Sequence, residues 1–142
     1  MSDDLYQEAL VALAKSGAGA GRLDSPDGTA TADNPLCGDR VSVDVKLDGD
    51  RIDSLAHKTR GCLLTRAAAS LVAEATGQVT VEAASRWHAA AAAWLRGEGE
   101  LPAGLEHLEA MAPVRAVKSR HDCVLIAFEA LHDALAAAAA RD

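Results

Sequence analysis

The chain has 142 residues, a formal net charge of −7, three cysteines and only 3% aromatic residues. That length suits one domain, residues 1–142, large enough to fold without disulfide staples. The acidic balance and lack of a basic tract argue against nucleic acid, no uninterrupted apolar run approaches the ~20 residues of a membrane span, and an odd cysteine count with no leader read at the start points to reduced thiols in the cytoplasm.

Residues 2–15 read as a first helix, with Leu5, Ala9, Ala12 and Leu13 at helical spacing and Ser2 or Asp3 as its cap. Residues 16–21, rich in Gly and Ala, end it. Residues 23–33 are polar and hold the turn-like Ser25-Pro26-Asp27-Gly28, with residues 29–32 as a short edge strand. The clearest strand is 41–47, which puts Val41, Val43, Val45 and Leu47 on one face and Ser42, Asp44 and Lys46 on the other. Asp48-Gly49 signals a hairpin, and 51–60 returns antiparallel. A helix over 62–76 stops at Gly77, and a second, single helix runs from 80 or 81 to 95. Gly97, Gly99 and Pro102 break the chain, residues 105–111 form a short helix closed by Pro113, and a last helix runs from about 121 to the end. Val124, Phe128, Leu131 and Leu135 mark its buried stripe.

The chemistry gathers at element junctions. In Asn34-Pro35-Leu36-Cys37-Gly38-Asp39-Arg40 a thiol and a carboxylate stand two residues apart on a turn before a strand. Cys62 follows Gly61 at a helix start, and Cys123 lies in the first turn of the last helix. Free N–H groups and the positive dipole end at a helix N-terminus favour thiolate over thiol. Cys37, Cys62 and Cys123 with Asp39 make three sulfurs and one oxygen, a set that suits tetrahedral zinc or an iron–sulfur cluster. Any one of these cysteines taken alone reads more readily as a small buried hydrophobe; three at element junctions, one beside Gly-Asp, bring the two readings nearer even, and the spacing is not a C-x-x-C pattern, so chemistry alone leaves both open. His121 is either a further ligand or proton carrier or a solvent-facing residue. Asp122 reads as a helix N-terminal charge, and His57, His88, His107 and His132 as surface or satisfied histidines. Trp87 and Trp94, seven apart on one helix, mark core or a partner surface.

These motifs together resemble the U-type iron–sulfur scaffold proteins, the IscU/SufU/NifU N-terminal family. The residues that carry the resemblance are the segment from Asn34 to Arg40, similar to N-P-x-C-G-D-R; Gly61-Cys62 with Ala67, Ala69 and Ser70; and Arg120-His121-Asp122-Cys123 with Leu125, Ala127 and Leu131. The resemblance implies an α+β, SufE/NifU-like fold: an antiparallel sheet of about three strands with helices packed on one face. It implies that Cys37, Asp39, Cys62 and Cys123 converge on one exposed site that holds a transient [2Fe-2S] cluster or zinc. It also implies that the three cysteines are ligands or persulfide acceptors, Asp39 being the weaker oxygen ligand that keeps the site exchangeable. The partners implied are a cysteine desulfurase and apo-protein acceptors. The long stretch between Cys62 and Cys123, and Arg120 three residues before the last cysteine, bring the chain nearer the SufU branch. A scaffold, a zinc-dependent sulfurtransferase and a zinc-stabilised domain that binds proteins through its Trp-bearing helix all stand as readings. Oligomeric state stays open.

Overall fold

In a computed structural model, which describes residues 2–34 and 38–141, the strongest alternation in the sequence becomes the centre of the sheet. The strands β1 (Gly28–Asn34), β2 (Asp39–Asp48) and β3 (Arg51–Arg60) form an antiparallel sheet in the order β1-β2-β3. Val41, Val43 and Val45 of β2 face the helices and are buried. The edge strand expected over 29–32 is real and longer. Gly38 N–H donates to the Asn34 carbonyl at 2.8 Å, and Asn34 pairs with Asp39, so Asp39 begins β2 rather than sitting on the turn. The second hairpin turns at Gly49-Asp50, one residue later than Asp48-Gly49; only Gly49 has positive φ, 64°.

The polar face of β2 is not uniformly solvated. Asp44 is 1% exposed because the chain from Gly21 to Leu23 folds across it. Arg22 Nε and Nη2 donate to its carboxylate at 2.7 and 2.8 Å, and Leu23 N–H and Thr29 Oγ1 donate at 3.1 and 2.8 Å. Four donors satisfy a carboxylate that would otherwise be costly to bury.

The helices are α1 (Ser2–Ser16), α2 (Leu63–Ala75), α3 (Val81–Ser85), α4 (Trp87–Leu95) and α5 (His121–Arg141). The helix expected as one piece over 80–95 is two. Ser85 Oγ donates to the Glu82 carbonyl at 2.7 Å, the acceptor a regular ladder would offer Arg86 N–H, and Arg86 bonds Ala83 instead. The short helix expected over 105–111 is a 3-10 helix, Glu106–Ala116, that runs past Pro113. Leu105, Leu108, Met111 and Val114 are buried at a spacing of three, the period of a 3-10 rather than an α-helix. A second 3-10 turn, Lys118–Arg120, leads into α5.

The segment Lys118–Ala140 is long and apolar enough by length and composition to cross a membrane, which the sequence reading did not anticipate, but more than half of its apolar window is buried inside the protein. Its small residues explain the close fit. A Cβ on Gly28 of β1 would collide with the Ala134 carbonyl oxygen and with Ala138. Backbone-to-backbone contact of this kind needs Gly on the strand and Ala on the helix. Val124, Phe128, Leu131 and Leu135 are buried as expected, and Ala127, Ala130, Ala134 and Ala138 widen the stripe. Trp87 and Trp94 are 3% and 4% exposed, so both belong to the core and present no partner surface.

Candidate metal centre

The β2 start, the α2 start and the α5 start meet at one end of the sheet. One ligand atom each of Asp39, Cys62 and Cys123 lies within 4.8 Å of the others. Cys62 is the N-cap residue of α2, in extended geometry (φ −71°, ψ 176°), and Cys123 sits in the first turn of α5. Both thiols therefore stand where helix N–H groups favour negative charge, as the sequence suggested. Cys37 lies outside the described residues, with Pro35 and Leu36.

The carboxylate of Asp39 is built in. It is 3% exposed, accepts from Cys62 N–H at Oδ1 (3.2 Å) and accepts from the Thr65 hydroxyl at Oδ2 (2.8 Å). Gly61 makes this possible, since a Cβ there would stand 2.5 Å from Oδ1. The sequence reading missed Thr65, although its place three residues after the helix-opening Cys62 is the signal: that position projects a hydroxyl back over the helix start. Thr65 Oγ1 also lies 3.4 Å from Cys62 Sγ, and Cys62 Sγ lies 3.9 Å from Asp39 Oδ2. Burial pushes the Cys62 thiol up. The Thr65 hydroxyl and backbone N–H and the neighbouring Cys123 thiol outweigh that, so it titrates below its ordinary value even though the Asp39 charge opposes.

The site is less open than expected. Cys123 is 1% exposed and Asp39 3%, and among the described members only Cys62 reaches solvent, half-buried. The reason is that two of the three candidate ligands, Asp39 and Cys123, sit on faces turned to the core. The donor set fits a metal: tetrahedral zinc with bonds of about 2.0–2.3 Å places its ligands roughly 3.5–3.8 Å apart, and the Cys62–Asp39 separation of 3.9 Å already approaches that.

His121 is not part of the cluster. Its Nε2 donates to the carbonyls of Val114 and Arg115 at 3.1 and 3.2 Å, tying α5 to the 3-10 helix. Asp122 is exposed at the start of α5, as a helix N-terminal charge should be. His57 is buried and satisfied: Nε2 donates to the Ala18 carbonyl at 2.8 Å and Nδ1 accepts from Thr59 Oγ1 at 2.9 Å. Burial lowers its pKa, with the Ala18 bond opposing. His88 and His132 lie with ring centroids 6.5 Å apart and are not members of the Asp39, Cys62 and Cys123 cluster. No sequence pattern points to Arg115, whose guanidinium stacks 4.8 Å from the Trp94 ring while its Nε donates to the Trp94 carbonyl at 2.9 Å.

A family model, the NifU-like N terminal domain, matches residues 5–141. The chain is 27% identical over 135 residues to the zinc-dependent sulfurtransferase SufU of Bacillus subtilis (strain 168), covering 94% of this chain and 91% of that protein. It is 26% identical over 131 residues to the iron-sulfur cluster assembly scaffold protein IscU of Thermotoga maritima, covering 92% of each. Among solved structures, the N-terminal NifU-like protein of Brucella abortus superposes with a TM-score of 0.91 at 26% identity, over 99% of this chain and 98% of that one. The fold alone is shared with the SUF-system scaffold of Fervidobacterium islandicum AW-1, at a TM-score of 0.84 and 22% identity, over 95% and 99% of the two chains.

Proposed function

The chain belongs to the NifU-like N-terminal domain family, and on that premise we propose that it is an iron–sulfur cluster assembly scaffold: it accepts sulfur from a cysteine desulfurase, builds a labile [2Fe-2S] cluster and passes it to apo-proteins. The observation that carries this reading is the convergence of Asp39, Cys62 and Cys123 within 4.8 Å at three element starts. Cys37 completes the ligand set in this reading, on the strength of its place in the motif with Gly38 and Asp39. Thiolates hold iron tightly, while a carboxylate is a weaker partner for it, so Asp39 gives the cargo a way to leave. The whole chain, residues 1–142, acts as one domain, supported by a continuous hydrophobic cluster that runs from α1 to α5. A reducing cytoplasm suits its thiols.

A second reading, a zinc-dependent sulfurtransferase, is favoured by one specific feature. Cys62 is half-buried, caps a helix and has a lowered pKa, the profile of a nucleophile. Its thiolate would attack the outer sulfur of the desulfurase's persulfide; a new S–S bond forms on Cys62, the desulfurase's S–S bond breaks, and its cysteine leaves as thiolate. Zinc, when bound by Asp39 and the cysteines, would keep the thiols deprotonated until that exchange.

One experiment separates the two. The protein is purified without oxygen, incubated with a cysteine desulfurase, cysteine and ferrous iron, and assayed for metal content and visible absorption. Cluster absorption with about two iron per cluster supports the scaffold. About one zinc per chain that iron does not displace, together with an accelerated desulfurase, supports sulfur transfer. Binding of neither metal refutes both.

A further inference from the structure

A stretch of β3 beside Cys62 is left open at its outer edge. His57 N–H donates to the Gly19 carbonyl at 2.8 Å and its carbonyl accepts from Gly21 N–H at 2.9 Å, so Ala20 continues the sheet as a parallel bridge. Gly21, at φ 134°, then turns the chain off the edge, and Arg22 crosses to Asp44. The alternation of a strand turns the N–H and carbonyl of Thr59 the same way as those of His57, and no backbone group among the described residues meets them there.

Cations surround this edge. Lys58 and Arg60 flank Thr59 on the face of the sheet away from the helices, and Arg66 stands in the first turn of α2. All three are exposed, and none forms an ion pair among the described residues. Two grooves, of about 390 and 260 Å³, share Lys58 and Thr59; Arg40 and Arg60 line the larger, Gly21 and Arg66 the smaller. Arg40, whose Nε donates to Asp33 Oδ1 at 2.7 Å, stands directly opposite Arg60, unpaired among the described residues, in the β2–β3 register. Like charges facing across strands cost stability, and here they are gathered in a chain whose net charge is −7.

We propose that this edge receives an acidic, extended segment of a partner protein as an added strand. The backbone of Thr59 would fix its register, and Lys58 and Arg60 on one side with Arg66 on the other would meet its carboxylates. The same cations repel a second copy of this edge, as charged residues on exposed strands do. A segment docked here runs beside Arg60 towards Gly61 and Cys62, which brings the partner to the half-buried thiol. Only this last step rests on the function proposed above; the docking does not.

The test uses the full chain and a capped peptide of alternating Glu and Val at low ionic strength. Binding is followed by fluorescence, and the Thr59 amide by hydrogen exchange. The expected result is slowed exchange at Thr59, and affinity roughly tenfold weaker in a Lys58→Glu, Arg60→Glu variant that keeps its metal content. A peptide of equal charge with proline at its centre, which offers no N–H to the Thr59 carbonyl, should also bind more weakly. An unprotected Thr59, an affinity indifferent to charge reversal, displacement by inorganic phosphate at matched ionic strength, or protection of Thr59 by raising protein concentration alone would each overturn the proposal. Peptide binding by a chain that holds no metal would sustain it while failing the scaffold reading.

Discussion

Replacing Gly61 by alanine tests whether the Asp39 carboxylate is held as the structure describes. The added Cβ would stand 2.5 Å from Asp39 Oδ1, 2.9 Å from its Cγ and 3.1 Å from the Thr65 Cβ. Cβ atoms essentially never come within 3.0 Å of a neighbouring atom, as the two contacts with Asp39 would, and the carboxylate has little room to yield, because it is 3% exposed and held by Thr65 and by Cys62 N–H. Either the strand and helix starts move apart, at about 1–3 kcal/mol for overpacking, or the carboxylate swings away and forfeits hydrogen bonds of about 1.5–3 kcal/mol each. The expected loss for Gly61→Ala is therefore on the order of 3 kcal/mol, with metal affinity reduced about 10- to 100-fold, as when an outer hydrogen bond to a ligand is lost. Urea unfolding of the metal-free protein gives the first quantity and chelator competition the second. Gly77→Ala is the control: a Cβ there meets nothing within 4 Å, so its stability should stay within about 0.5 kcal/mol of wild type. A Gly61→Ala protein as stable as wild type, with unchanged metal affinity, would refute the reasoning.

Three further outcomes are expected. Thr65→Val removes the donor to Asp39 Oδ2 and the hydroxyl facing Cys62. It should cost about 1–3 kcal/mol and shift the pH profile of Cys62 alkylation upwards; an unmoved profile would count against the role given to Thr65. Gly28→Ala drives a Cβ into the Ala134 carbonyl oxygen, and because backbone must move on both sides, a melting temperature within a few degrees of wild type would disprove the close β1–α5 fit. Asp44 has a folded pKa below its ordinary 3.8, chiefly through its Arg22 bond and against the pull of burial. Its contribution is thus fully present above that value and lost as pH falls through the lowered one. The stability gap between wild type and Asp44→Asn should be constant near neutrality and narrow only in acid; a gap independent of pH down to full unfolding would contradict this.

Much was determined by the sequence alone, for physical reasons that act over short distances. Alternation of Val41, Val43 and Val45 specifies a half-buried strand because side chains on a strand repeat every two residues. Gly77 and the helical spacing around Phe128 delimit helices by the same local logic. The cysteine positions at helix starts were legible too, since capping geometry depends on a few neighbouring residues. The 3-10 period of Leu105, Leu108, Met111 and Val114 was also present, but a spacing of three is part of an α-helical pattern as well, and the choice fell to packing.

Only the tertiary structure decided the rest. Asp44 looks like a solvent-facing residue until Arg22, twenty-two positions earlier, is brought across it. His121 stands two residues from Cys123, yet its ring is drawn to the carbonyls of Val114 and Arg115 rather than to the sulfurs. The partner that Thr65 and Gly61 serve is known only when Asp39, at the start of β2, arrives beside them at the start of α2. Local sequence sets backbone preference and the face a side chain occupies; which buried charge finds a partner depends on chain segments that meet only once the core has formed, and that is where the site was made.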